Sequence, residues 1–203
     1  RNVPSAFEDV KRGHWNRDGF FGHQLKGKML GVIGYGRVGK QLIKIAQAFQ
    51  MRVQYKDKSI ITGKVEEFPE VTLKQLLVLS DIISINVDLN DSTYNLIKKE
   101  HFDLMRPTTY LINTSRGEVI DEQDLLMALK NKKIAGAALD VLWDEKSDGN
   151  HLLSNALIEY AKENNNLIIT PHIAGATEEA MRLTEEFVAN KLIGIVKYDQ
   201  SII

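Results

Sequence analysis

Leu30-Gly31-Val32-Ile33-Gly34-Tyr35-Gly36-Arg37-Val38-Gly39 holds a Gly-x-Gly-x-x-Gly motif directly after an apolar, β-prone run and directly before an amphipathic pattern. Position gives these glycines their meaning. Between a strand and a helix, Gly34 permits a tight turn, Gly36 lets backbone approach a pyrophosphate, and Gly39 lets helix and strand pack closely, with the anion at the helix N-terminus. Eighteen residues past Gly39, Asp57 ends the next strand pattern. Its carboxylate can accept both ribose hydroxyls of adenosine, which favours NAD and repels the extra phosphate of NADP, although Lys56 and Lys58 beside it weaken that preference. Glycines that merely turn a strand into a helix, or that bind S-adenosylmethionine, are the rival readings. Neither requires the arginine, glutamate and histidine found further along.

Working outward, Val- and Ile-rich runs recur at Met29 to Ile33, Val53 to Tyr55, Ile82 to Val87, Tyr110 to Asn113, Ala135 to Leu139 and Leu167 to Ile169. Helical patterns alternate with them. Val38, Leu42, Ile45, Ala46 and Phe49 share one helical face, as do Leu125, Leu126 and Leu129, and later Met181, Val188, Leu192 and Ile195. Strand–helix alternation with near-continuously apolar strands predicts an α/β fold, a doubly wound parallel sheet of the Rossmann type covered on both faces. Gly27, the Gly63 to Pro69 region, Pro107 and Ser147 to Asn150 mark turns, none of them a flexible linker, and no internal repeat is present. Residues 1–26 are expected to form an arm and residues 27–203 one nucleotide-binding domain. The arm starts as a helix over Arg1 to Lys11 and carries Trp15, Phe20 and Phe21 among charged residues, too few to build a core alone. It is expected to pack on a partner subunit. Because the chain opens at Arg1 in mid-helix, it reads as a piece of a longer protein.

Composition removes several classes of function. The 203 residues are 43% apolar, enough for a sizeable core, and the formal charge of −1 offers no electrostatic attraction for nucleic acid or an anionic membrane. No apolar run approaches the ~20 residues that span a bilayer, and no signal-peptide core is seen. A cytoplasmic location is the default expectation. The absence of cysteine excludes disulfides and thiolate chemistry, and the five histidines show no ligand spacing, so no metal is expected.

Three further segments carry chemistry. Tyr110 to Gly117 reads Tyr-Leu-Ile-Asn-Thr-Ser-Arg-Gly, with Arg116 at the tip of an apolar run; Leu139-Asp140-Val141 is followed by Glu145; and Thr170-Pro171-His172-Ile173 ends the last run. A guanidinium, a carboxylate and an imidazole, each just past a buried strand, are the parts needed to reduce a keto acid. The glycine motif, Asn-Thr-Ser-Arg-Gly, Ala-Leu-Asp-Val and Thr-Pro-His-Ile-Ala-Gly occur in the order of the D-isomer-specific 2-hydroxyacid dehydrogenases, which this chain resembles over nearly its whole length. Arg1-Asn2-Val3-Pro4, Gly13-His14-Trp15 and Leu25-Lys26-Gly27-Lys28 resemble that family's dimerisation arm and imply a homodimer through residues 1–26.

The resemblance implies roles. Arg116 would hold a small 2-keto or 2-hydroxy acid by two hydrogen bonds while polarising its carbonyl. His172 would be the general acid and base, suited by an ordinary imidazole pKa of about 6.5, and would also lie at the cofactor. Glu145 would hydrogen-bond the histidine, with Asp144 as its rival if the loop shifts by one; His14, His23, His101 and His151 would be ordinary surface histidines. Arg37 and Val38 would give backbone amides to the pyrophosphate, Val87 would line the adenosine side, Thr93 and Thr114 would lie beside the NAD, and Asp140 at the carboxamide.

There are departures from the family pattern. Asn86 and Asp88 stand where many relatives have histidine and proline, Lys146 replaces a proline, and Leu157 to Asn166 looks like a helix inserted before the last strand. Formate dehydrogenases, in the same superfamily, have glutamine at the position of Glu145, so keto-acid reduction is the better reading. The second, substrate-binding domain of the family is largely absent from the sequence, so the chain alone is expected to bind NAD but turn over poorly. Beside a dehydrogenase stand two alternatives, an NAD(H)-sensing corepressor-like protein and a cofactor-binding fragment without activity of its own.

Overall fold

A computed structural model describes residues 2–58, 68–145 and 154–200, which divide into two compact units, Arg1–Ile169 and Thr170–Ile203. The expected turns at 147–150, with Lys146 and His151, lie outside the described residues, as does most of the Gly63 to Pro69 region. The first unit is built on six parallel strands: β1 (Met29–Ile33), β2 (Arg52–Lys56), β3 (Ile82–Ile85), β4 (Tyr110–Asn113), β5 (Gly136–Leu139) and β6 (Leu167–Ile169). Their order is β2-β1-β3-β4-β5-β6. A parallel bridge between Tyr55 and Glu70 extends the β2 edge, with the Tyr55 N–H donating to the Pro69 carbonyl (3.1 Å) and the Val71 N–H to the Tyr55 carbonyl (2.9 Å). Counting that bridge as a rudimentary strand gives the spatial order of the expected Rossmann sheet.

Side chains alternate across β1 with the strand period of two. Leu30 and Val32 join Ile43 and Ala46 of α2 (Arg37–Ala48) on one face, while Ile33 joins the larger cluster with Leu76 and Leu77 of α3 (Leu73–Leu79) on the other. The sheet is therefore covered on both sides, as its apolar strands predict. A capping box starts α3, with the Thr72 hydroxyl accepting from the Gln75 N–H at 3.2 Å and the Gln75 side chain accepting from the Thr72 N–H at 3.0 Å. Leu76 is fully buried, so Leu76→Ala is expected to cost roughly 2–5 kcal/mol, read as a lower urea midpoint.

The α2 face differs from the one expected. Gly39, Ile43 and Ala46 face the core and Leu42 is half-buried, whereas Val38, Ile45 and Phe49 stand exposed. The helix is seated through Gly39, whose missing side chain lets it approach β1, and this turns the predicted stripe away from the sheet by about one residue. On α5 (Glu122–Lys130) the expected face holds: Leu125 and Leu129 are buried and Leu126 is partly buried. The helix expected over Leu157 to Asn166 is α6 (Ala156–Glu163), started by Asn155, whose side chain accepts from the Leu157 and Ile158 N–H groups. The short α4 (Lys99–Phe102) buries Phe102.

At the N-terminus α1 (Val3–Lys11) forms as expected, and the Ser5 hydroxyl donates to Asn165 at 3.3 Å. Trp15 and Phe21 remain 86% and 81% exposed, while Phe20 is half-buried in a single 3-10 turn, Arg17–Phe20. The second unit contains α7 (Glu178–Gln200), where the Thr177 hydroxyl accepts from the Ala180 N–H at 3.1 Å. Its expected apolar face, Met181, Val188, Leu192 and Ile195, is exposed. No helix among the described residues is long and apolar enough to cross a membrane.

Candidate cofactor and active site

From β1 the chain runs through α2 to β2 on one side, then crosses back to β3 on the other, so the loops leaving β1 and β3 part company. A crevice outside the carboxyl ends of these strands is the expected ligand site of such a sheet. Here a cleft of about 400 Å³ opens there, lined by Val38 within the glycine motif, Asn86 to Leu89 after β3, and Thr114 to Arg116 after β4.

The motif glycines divide by what a side chain would meet. Gly34 has φ +95°, and a Cβ on it would lie 2.3 Å from the Asn86 carbonyl oxygen; a Cβ on Gly39 would lie 2.1 Å from the Gly34 carbonyl oxygen. The protein's own packing thus requires both. A Cβ on Gly36 would meet nothing within 4 Å, and its backbone is extended, with φ −77° and ψ −161°. Neither strain nor crowding asks for glycine there. Gly36 is also the N-cap of α2 and supplies no side-chain acceptor to the helix N-terminus, which leaves the first N–H groups available to an anion.

Asp57 follows β2 and its carboxylate accepts the Tyr35 N–H at 2.5 Å, tying the motif loop to the β2 end. The Tyr35 ring stacks on Tyr55 at 4.0 Å, with the Lys40 ammonium 4.8 Å from its centre. Lys56 pairs with Glu70 at 3.1 Å, and Lys58 donates to the Ser92 hydroxyl at 3.2 Å.

Arg116 is exposed beside the cleft, one guanidinium nitrogen donating to the Ser115 carbonyl at 2.7 Å. Its turn is set by Asn113, a residue the motif contains but to which sequence reasoning assigned no role. The buried Asn113 amide donates to the Arg116 carbonyl (2.8 Å), and its oxygen accepts from the Ser115 N–H (3.0 Å) and hydroxyl (2.8 Å). Asparagine at a strand end is a turn signal that was there to be read. Asn113→Ala removes the partners of three polar groups and is expected to destabilise by about 1–3 kcal/mol, with a lower thermal midpoint as the measure.

A second loop is locked against this turn. A Cβ on Gly117 would lie 2.1 Å from the Leu142 carbonyl carbon. The Trp143 N–H donates to Glu122 (2.7 Å), its indole N–H to the Ile120 carbonyl (2.8 Å), and its ring lies 5.7 Å from that of Tyr94. Glu145 accepts the Leu142 N–H at 2.5 Å, so one oxygen of its carboxylate holds its own loop, and Asp144 takes φ +55° to make the turn.

Of the remaining expected residues, Val38, Val87, Thr114 and Arg116 line the cleft together, and Arg37 opens α2 beside it. Thr93, Asp140 and Glu145 are not among its lining residues. Thr93 is buried, donating its hydroxyl to the Asp88 carbonyl (2.6 Å) and accepting from the Asn90 N–H (2.8 Å), which folds the loop after β3. Asp140 is buried, with its N–H donating to the Asn113 carbonyl at 2.9 Å. His172 belongs to the second unit, exposed, with φ +54° and its N–H donating to the Thr170 carbonyl at 3.0 Å. Asn86, Asp88, Leu89 and Ser115 line the cleft without having been assigned to it. At His101 burial pushes the imidazole below the ordinary value, with Glu100 opposing and Lys98 acting in the same direction as burial. Among the described residues no cluster of His, Asp or Glu could hold a metal ion.

A sequence model of the D-isomer specific 2-hydroxyacid dehydrogenase NAD binding domain matches residues 1–174. A glyoxylate reductase of Thermofilum pendens is 37% identical over 97% of this chain and 58% of its own length. The D-3-phosphoglycerate dehydrogenase of Escherichia coli K12 is 37% identical over 95% of this chain and 46% of its own. Among solved structures, the D-lactate dehydrogenase of Aquifex aeolicus, complexed with NAD and lactic acid, superposes with a TM-score of 0.84 at 31% identity, covering 100% of this chain and 63% of that one. The chain thus spans about half the length of the relatives it matches. These relatives are enzymes, and nothing in the comparison supports the sensing protein. With its glycine motif at a β1/β3 crevice and Arg116 on the cleft wall, the chain belongs to the D-isomer specific 2-hydroxyacid dehydrogenase family, as an NAD-binding domain.

Proposed function

We propose that this domain is the cofactor half of an enzyme that interconverts a small 2-keto acid and its D-2-hydroxy acid. The observation that carries the proposal is the meeting, in one crevice, of an uncapped helix start beside an open Gly36 with a wall ending in Arg116. Anion binding and carboxylate recognition then lie next to each other. Bound NADH supplies the hydride. Arg116 holds the substrate carboxylate in a two-point contact and draws electron density from the carbonyl oxygen. The His172 imidazolium gives a proton to that oxygen as the carbonyl carbon is reduced, and takes it back in the reverse direction. Glu145 supports the charged histidine, and Asp57 holds the adenosine ribose. Gly34, Gly39, Arg37, Val38, Val87, Thr93, Thr114 and Asp140 complete the cofactor site.

Substrate choice is proposed to follow the relatives named for glyoxylate, phosphoglycerate and lactate. NADH oxidation with glyoxylate, pyruvate and phosphohydroxypyruvate, by the protein that carries this chain, tests the proposal; turnover on one of them is expected, and turnover on none contradicts it. The exposed Trp15 and Phe21 support docking of residues 1–26 on a second copy. Deleting residues 1–22 is expected to halve the mass seen by light scattering, and an unchanged mass ends the dimer proposal. A cytoplasmic location belongs to the same proposal and is checked by cell fractionation.

A further inference from the structure

We propose that Trp143 is a positioning residue for the keto-acid reaction: with Tyr94 it fixes the loop that carries Glu145 to the loop after β3 and to the Arg116 turn. The proposal rests on the reading of Glu145 as the carboxylate that supports His172.

Trp143 sits inside the turn that Glu145 closes. The Leu142 N–H donates to the Glu145 carboxylate, so Trp143 and Asp144 are enclosed between the two ends of that bond. Whatever holds Trp143 therefore limits where the carboxylate can lie. Three groups hold it, each from a different segment. Its backbone N–H donates to Glu122 at 2.7 Å, and the other oxygen of Glu122 accepts from the Asn155 amide at 3.0 Å, so one carboxylate at the start of α5 ties down both Trp143 and the start of α6. Its indole N–H donates to the Ile120 carbonyl at 2.8 Å, just past the 3-10 turn Gly117–Val119 that follows Arg116. Its ring lies 5.7 Å from that of Tyr94, tilted by 42°, a separation and angle at which aromatic pairs attract.

Tyr94 brings the cofactor side of the site into this contact. It is exposed and directly follows Thr93, whose hydroxyl bond to the Asp88 carbonyl folds the loop that lines the cleft. That loop is itself pinned to the Arg116 turn, the Asn95 N–H donating to the Glu118 carbonyl (2.8 Å) and the Ile97 N–H to the Val119 carbonyl (3.0 Å). The segments after β3, β4 and β5 thus meet at one indole. Trp143 is not among the residues lining the cleft. Its influence on the reaction therefore runs through the carboxylate two residues on, not through contact with substrate or cofactor.

The test is a double-mutant cycle in the protein that carries this chain, reading NADH oxidation with glyoxylate and phosphohydroxypyruvate alongside NADH affinity and a thermal melt. Trp143→Phe keeps an aromatic ring and loses the indole N–H. It is expected to lower kcat about tenfold while NADH affinity and keto-acid KM stay within about twofold of wild type, since a misplaced catalytic group costs rate and not binding. Tyr94→Ala is expected to lower kcat about threefold, and Tyr94→Phe, which keeps the ring, to restore it. In a Glu145→Gln background the effects of Trp143→Phe and Tyr94→Ala are expected to vanish, because the carboxylate through which they act is gone. Losses that persist at full size in that background, losses that fall equally on kcat and NADH affinity, or an unchanged kcat in both single variants overturn the proposal. A wild-type kcat in Glu145→Gln itself would overturn the reading of Glu145, and this proposal with it, so the two failures are told apart.

Discussion

Replacing Gly36 with serine is expected to abolish tight NADH binding while leaving the domain as stable as before, or slightly more so. The two halves of this expectation come from one position. Gly36 is extended, a side chain there meets no atom of the protein within 4 Å, and as N-cap of α2 it supplies no acceptor. Serine is a preferred N-cap whose hydroxyl accepts from the N–H groups two or three residues on, in favourable cases by about 1 kcal/mol relative to alanine. Those are the N–H groups the proposed pyrophosphate site needs, and the serine side chain would also fill the space through which the phosphate is proposed to approach the backbone. Loss of two charge-assisted hydrogen bonds at ~1.5–3 kcal/mol each corresponds to at least a hundredfold weaker binding. Titration by NADH fluorescence beside a thermal melt checks both halves. Unchanged binding with a raised melting temperature would place the pyrophosphate elsewhere.

Gly117→Ala is expected to do the reverse, lowering stability and activity together. Its added carbon would sit 2.1 and 2.2 Å from the carbonyl carbon and oxygen of Leu142, which are backbone atoms and cannot rotate away. Either the Arg116 turn or the Leu142–Glu145 loop has to move. Overpacking of this kind costs about 1–3 kcal/mol, which in a domain of this size lowers the melting temperature by roughly 2–4 °C for each kcal/mol. Because Arg116 and Glu145 are on the two segments that separate, keto-acid turnover is expected to fall by a larger factor than NADH affinity. Equal losses in both would show that the packing matters only to the fold.

Much of this architecture was readable before the structure. Strands β1, β4 and β6 have the predicted bounds, because buried parallel strands are continuous apolar runs between turn residues. β3 and β5 are shorter at one end, and β2 longer at both, since the last pairings depend on register with neighbours. The rudimentary edge strand at Glu70 had no apolar run to announce it. The phase of α2 differs from its periodicity for a definite reason: Val38, Ile45 and Phe49 are apolar yet exposed, and periodicity cannot tell a core stripe from an apolar surface stripe beside it. Gly39, which decides the seating, has no hydrophobic signal at all.

The candidate site shows the same division. The motifs announce the turn at Gly34 and Gly36 and the place of Arg116, because glycine at a strand–helix turn and arginine at a strand tip are local features. Asn113 was in plain view, but its three hydrogen bonds to the Arg116 turn exist only once the backbone bends around it. Lys58 could be seen beside Asp57, while its reach to Ser92, thirty-four residues on in the chain, is a product of strand order. Glu145 was expected to serve a histidine. Its bond to the Leu142 N–H shows the carboxylate holding the loop that carries it.

The most direct test of the proposed chemistry is NADH oxidation with glyoxylate and phosphohydroxypyruvate by His172→Ala beside the wild-type protein, with NADH binding measured on the same samples. Loss of a general acid is predicted to lower turnover by about 10²–10⁴ while the cofactor still binds. Turnover that survives His172→Ala, on a substrate the wild-type protein reduces, would contradict the assignment.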